Sequence, residues 1–136
     1  MVNVLCCLAA MALGQSEAKP AKGLYEVKTS VTPTPVAVGQ PAKVLVRFQL
    51  APEAHISQDA PLTLKFEGPD GVSFDRSVLH YADAKEPGVP APSFEDAVRA
   101  QHAGDQEFKV VMSFYVCTAT LCNHEKETQT LKLAVK

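Results

Sequence analysis

Apolar and polar residues alternate with period two along much of this chain, most clearly near its end. Over residues 108–116 the even positions Phe108, Val110, Met112, Phe114 and Val116 are apolar. Between them lie Lys109, Ser113 and Tyr115, with Val111 the one apolar interruption. Further on, Leu131, Leu133 and Val135 alternate with Lys132, Ala134 and Lys136. Successive strand side chains point to opposite faces, so each run predicts a strand with one core face and one outer face. The link Cys117-Thr118-Ala119-Thr120-Leu121-Cys122 is short, and strand, short link, strand predicts a β-hairpin.

A register follows from this pattern. Setting Cys117 opposite Cys122 pairs Phe108 with Leu131 on the core face, and Tyr115 with His124 and Lys109 with Thr130 on the outer face. Both faces are then consistent, and both cysteines fall on the outer, accessible side. Opposed residues of an antiparallel pair have Cβ atoms about 4.5–5.5 Å apart. A disulfide prefers about 3.5–4.5 Å, so the bond is sterically within reach.

The rest of the chain reads as more short strands. Residues 24–31 alternate loosely and are stopped by Thr32-Pro33-Thr34-Pro35. Val44, Val46, Phe48 and Leu50 alternate with Lys43, Leu45, Arg47 and Gln49. Residues 51–60 form a loop carrying His55. Leu62, Leu64 and Phe66 alternate with Thr63, Lys65 and Glu67, then Gly68-Pro69-Asp70-Gly71 turns the chain. Residues 72–79 predict a further short strand, and 82–92 a polar loop. Residues 93–101 fit two readings: an acidic helix start, or an edge strand carrying Phe94, Ala97 and Val98. About seven short strands with frequent turn signals predict an all-β fold, an immunoglobulin-like antiparallel β-sandwich. The chain has no Trp, so the inter-sheet disulfide packed on Trp of antibody domains is not expected.

Composition bounds the function. The chain is 46% hydrophobic and 21% charged, enough apolar residues for a core. A formal net charge of −2 gives no basic footprint for nucleic acid. Residues 2–13 are almost wholly apolar and end in small residues, like the core and cleavage site of a secretion signal, without a basic start. The expected organisation is therefore a signal segment over 1–14, a flexible lead-in over 15–23 and one domain over 24–136. Export to a periplasmic or extracellular compartment is expected. After removal of the signal, Cys117 and Cys122 would be the remaining cysteines, and an oxidising compartment suits such a pair.

Three uses of that pair are open from the residues. It can be an inert clip on the hairpin of a β-sandwich binding module. It can be a redox-active pair, since exposed disulfides tend to be the labile ones. It can be half of a metal site with His124, His55 or His80, although zinc sites usually pair cysteines more tightly and in matched sets. His124 follows Cys122 on the outer face, and a protonated imidazole there would favour a thiolate. Tyr115 neighbours Cys117 on the same face and is a candidate shield. No Ser-His-Asp order, phosphate loop or paired-carboxylate arrangement is present, so no cofactor or small-molecule substrate is expected.

The segment Phe114-Tyr115-Val116-Cys117 with Cys122, followed by Thr128-Gln129-Thr130-Leu131-Lys132-Leu133, resembles the N-terminal periplasmic domain of DsbD-type thiol:disulfide interchange proteins. It looks closest to stand-alone relatives known as disulfide bond corrector proteins. The runs 44–50, His55-Ile56-Ser57 and Pro69-Asp70-Gly71-Val72 are similar to that family in order and rough spacing. The family's cysteines are slightly further apart than these. The resemblance implies an immunoglobulin-like sandwich whose Cys117–Cys122 pair takes electrons from a membrane thiol reductase and passes them to thioredoxin-like periplasmic proteins. It also implies a short aromatic cap loop, matched by Leu79-His80-Tyr81, with Tyr81 as the lid.

Overall fold

Two fourteen-residue strands, β8 (Gly104–Cys117) and β9 (Cys122–Val135), form the hairpin on which one sheet is built. The computed structural model describes residues 23–86 and 88–136; the expected signal segment, and all of the lead-in but Gly23, lie outside the described residues. The observed register is Cys117↔Cys122, Tyr115↔His124, Lys109↔Thr130 and Phe108↔Leu131, as the alternation requires. Phe108, Val110, Met112, Phe114 and Val116 are all buried, so the even positions of β8 form the spine of the core.

Among the described residues seven further strands build the sandwich: β1 (Tyr25–Thr32), β2 (Ala42–Leu50), β3 (His55–Ile56), β4 (Thr63–Glu67), β5 (Val72–Phe74), β6 (Val78–His80) and β7 (Ser93–Ala100). One sheet runs β1-β2-β7-β5. In the other, β9 flanks β8 on one side; β3 and β4 share its opposite side, with β6 outside β4. All the strand pairings are antiparallel, giving an immunoglobulin-like β-sandwich. Between the sheets, Phe48 meets Phe94 and Phe114 edge-on, and Phe74 meets Phe66 and Phe108. Each such ring buried in full stabilises the fold by about 1.5–3 kcal/mol relative to exposure.

The open reading of residues 93–101 resolves as a strand, but not at an edge. β7 lies between β2 and β5, with Phe94, Asp96, Val98 and Ala100 buried and Ser93, Glu95, Ala97 and Arg99 half-buried on the other face. Glu95 is held on the outer face by Lys85 at 2.7 Å. Residues 72–79 likewise form two strands, which belong to different sheets, because 75–77 carry the chain across between them. The turn before β5 needs Gly71: its φ is +89°, and a Cβ there would stand 2.9 Å from the His102 ring.

The open side of the sandwich is stitched by polar groups. Gln129 Nε2 donates to the Val27 carbonyl at 2.9 Å, and the Thr29 hydroxyl donates to Gln129 Oε1 at 2.9 Å. Nearer the chain end, Val36 N–H donates to the Ala134 carbonyl and Lys136 N–H to the Val36 carbonyl, both at 2.9 Å. β9 is thereby fastened to β1 and to the segment after it.

Candidate functional site: the hairpin neck

The β8–β9 ladder closes on Cys117 and Cys122, which form a disulfide with S–S 2.02 Å and Cα–Cα 4.0 Å. The four residues beyond it turn tightly. Thr118 N–H donates to the Leu121 carbonyl at 2.7 Å, and the Thr118 hydroxyl donates to the same oxygen at 3.4 Å. That clasp fixes the backbone of Leu121, whose side chain is 56% exposed next to Cys122.

The two sulfur-bearing residues are not equivalent. Both were expected on the accessible face, yet only Cys122 is exposed, while Cys117 is 3% exposed. The reason is β3. Its two residues pair with the end of β8, His55 with Cys117 and Ile56 with Val116. Ser57 N–H donates to the Tyr115 carbonyl at 3.0 Å, and Ile56 N–H donates to the Pro90 carbonyl at 3.0 Å. Cys117 therefore sits in a row with a neighbour on each side, whereas Cys122 lies on β9, whose neck edge is open. An incoming group meets Cys122.

His124 occupies its expected place opposite Tyr115, but its ring is turned to other partners. It stacks on the Tyr115 ring at 4.7 Å, and its Nε2 lies 2.7 Å from the Ser113 hydroxyl. Ser113 is further from the neck than Tyr115, so the ring nitrogen with a known partner reaches away from the sulfurs. Tyr115 is half-buried under that imidazole.

Tyr81 opens a short 3-10 turn, Tyr81–Asp83, that follows β6. The Asp83 carboxylate sets this turn, accepting from His80 N–H at 2.8 Å and from Arg76 Nη1 at 2.8 Å. The Tyr81 hydroxyl donates to the Val89 carbonyl at 3.2 Å, and its ring packs against the core. Val89 adjoins Pro90, the residue bonded to Ile56, so Tyr81 braces the segment that lies against β3.

The neighbour of Cys117 that the alternation did not reveal is His55. It was expected in a loop, and the structure sets it directly opposite Cys117. The usable signal was the tripeptide His55-Ile56-Ser57, one apolar residue between two polar ones, too short for a period. His80 and His102 are not brought to the neck by any strand pairing. Among the described residues, no three His, Cys, Asp or Glu side chains are gathered to hold a metal ion.

Two other ionisable groups are perturbed away from the neck. The Tyr25 phenol is pushed up to about 12, by burial first and then by Glu127 and Glu125. Burial also raises the Asp96 carboxyl above its ordinary value, against the opposing hydrogen bonds from Ala97 and Arg76 N–H. A groove of about 650 Å³ lined by Lys43, Arg76 and Glu95 lies along β2 and β7, in the sheet that does not hold the cysteines.

Fold and site together define a β-sandwich with a hairpin disulfide that presents one cysteine to solvent. No family model matches the chain, and no curated protein matches it. Solved structures similar to it include a conjugative transposon lipoprotein from Bacteroides eggerthii, 14% identical, covering 81% of this chain and 96% of that one at a TM-score of 0.45. The DsbD N-terminal domain of Neisseria meningitidis in its reduced form is 16% identical, covering 85% and 88%, at a TM-score of 0.40. AggA, the major subunit of aggregative adherence fimbriae type I from Escherichia coli, is 13% identical, covering 82% and 95%, at a TM-score of 0.42. These proteins differ in role, and none of their roles passes to this chain through the likeness.

Proposed function

We propose that the chain is a thiol–disulfide exchange module, an electron carrier that swaps its Cys117–Cys122 bond with protein dithiols in the periplasm or outside the cell. The observation that carries the reading is the asymmetry at the neck: Cys122 exposed, Cys117 buried beside β3. Exchange requires a thiolate to reach one sulfur of a disulfide while the other departs. An exposed Cys122 suits attack, and a sheltered Cys117 suits departure and internal re-attack. Leu121 offers the partner an apolar contact beside the reacting sulfur. The partners of this reading are thioredoxin-like proteins and a membrane thiol reductase. Among the described residues no helix is long and apolar enough to cross a membrane. Tyr81 would act as cap through the segment it braces, and Tyr115 as a shield beside Cys117.

The burial of Cys117 also favours a second reading, a binding module whose disulfide is a fixed clip. Energetics weigh against it. In the chain-entropy picture so short a loop is worth about 2 kcal/mol, against nearly 5 for a loop of about 100 residues. The Thr118–Leu121 clasp and the ladder already hold that loop closed.

The deciding experiment equilibrates the protein with glutathione and thioredoxin couples and measures the reduction potential of the pair. An exchange module comes to equilibrium with them; a value below about −300 mV marks a structural bond and overturns the proposal. The Cys117→Ser variant, which leaves Cys122 as the free thiol, should trap partner proteins as mixed disulfides, and Cys122→Ser should trap few.

A further inference from the structure

Cys117 has a ladder partner on each side. β9 sets Cys122 opposite it, and β3 sets His55 opposite it. Directly opposed residues project to the same side of a sheet with Cβ atoms about 4.5–5.5 Å apart. His55, Cys117 and Cys122 therefore form one row across three strands, with the buried sulfur in the middle. The ionisable groups around His55 can be named. β8 brings Cys117 and Tyr115, and β9 brings Cys122 and His124; the His124 ring is engaged by Tyr115 and Ser113. On the far side of β3 the segment at Pro90 accepts the Ile56 N–H, and residues 88–92 carry no ionisable side chain. The loop that holds His55 contributes Glu53 and Asp59.

Opening the disulfide leaves a charge in this row. Burial disfavours a thiolate, and a departing thiol of lower pKa leaves faster. A sheltered Cys117 thus needs a cation close by, and histidine is the side chain that supplies one near neutral pH. Resting on the exchange reading above, we propose that His55 acts directly on the leaving sulfur of that reaction, holding Cys117 as a thiolate when the bond opens. A thiolate of a partner dithiol attacks Cys122 Sγ and forms an intermolecular S–S bond. The Cys117–Cys122 bond breaks, and its electron pair stays on Cys117 Sγ beside the His55 imidazolium. The partner's second thiolate then attacks the partner sulfur of the mixed disulfide and frees Cys122 Sγ. Two electrons have passed: the partner dithiol is oxidised to a disulfide, and this pair is reduced. Cys117 takes its proton from His55, Cys122 from water. In the reverse direction His55 accepts the Cys117 proton.

Two measurements test this. The first follows opening of the wild-type disulfide by dithiothreitol from about pH 5 to 9, with rates divided by the dithiothreitol thiolate concentration. The corrected rate should be high at the acid end and fall as imidazolium is lost. His55→Ala should lower the acid-end rate about tenfold and flatten the profile. His55→Lys should keep the rate high and move the fall to higher pH. The second measurement titrates the lone Cys117 thiol of Cys122→Ser by ultraviolet absorbance. Adding His55→Ala should raise the pH at which the thiolate forms. A His55→Ala rate profile superimposable on wild type, or an unmoved Cys117 titration, overturns the role of His55 and leaves the exchange reading standing. A wild-type pair that neither dithiothreitol nor thioredoxin opens overturns both.

Discussion

The two halves of the β8–β9 hairpin share one register but not one environment. At the foot, β9 faces inward with apolar side chains: Leu131, Leu133 and Val135 are buried, opposite Phe108, Gln106 and Gly104 of β8. At the neck, β8 stays in the core through Val116 and Cys117, while no residue of β9 from Cys122 to Thr130 is buried. The half-buried positions of that stretch are polar: Asn123, Glu125, Glu127 and Gln129. A continuous ladder thus joins a stretch in which β9 belongs to the core to one in which it buries no side chain. The disulfide sits at the second end, with Cys117 buried on β8 and Cys122 exposed on β9.

The largest test of that contrast is Leu133→Ala at the foot. It should cost about 2–5 kcal/mol, seen as a lower denaturant midpoint with unchanged slope. Replacing both cysteines by serine at the neck should cost about 2 kcal/mol or less. A larger loss there would make the neck structural and remove the contrast. A third test uses Tyr25, which lies over the neck half through its edge-on contact with Phe114 at 5.2 Å. Its folded value is about 12, above the ordinary 10.0, so the unfolded chain ionises first as pH rises. The stability held below the ordinary value is therefore lost between about pH 10 and the folded value near 12. Tyr25→Phe should abolish that alkaline loss, read as unfolding midpoints that no longer slope across that window. The smallest effect belongs to Lys126→Ala, an exposed neck position opposite Ser113, which should stay within about 0.5 kcal/mol of wild type.

The hairpin register was legible because alternation is unbroken where it matters: five even positions of β8 are apolar, and any slip by one residue would turn them outward. The burial of Cys117 was not legible. It depends on a two-residue strand that is remote in sequence and carries no period of its own. The position of His124 could be read, but its direction depends on the Ser113 hydroxyl reaching across from β8. The strand at 93–101 stayed one of two readings because a carboxylate occupies a core position. Asp96 is 6% exposed and interrupts the apolar series of Phe94, Val98 and Ala100. Its Oδ1 accepts from Arg76 N–H at 3.1 Å and Ala97 N–H at 2.9 Å, which offsets part of the cost of burying it. The Arg76 donor comes from the crossing between sheets, which local pattern does not predict. The turn at Tyr81–Asp83 follows β6, and what holds it, the Asp83 carboxylate accepting from Arg76 and His80, is a tertiary fact.

Gln129 marks the boundary between the two halves, since its amide ties β9 to Val27 and Thr29 on the facing sheet. Beyond that rivet β9 is laddered to β8 and buries no side chain, so this half is expected to open locally before the layers part. Backbone deuterium uptake should record this as a step: fast for Cys122 through Glu127 by local opening, and slow for Leu131 through Val135, which wait for the whole molecule to unfold.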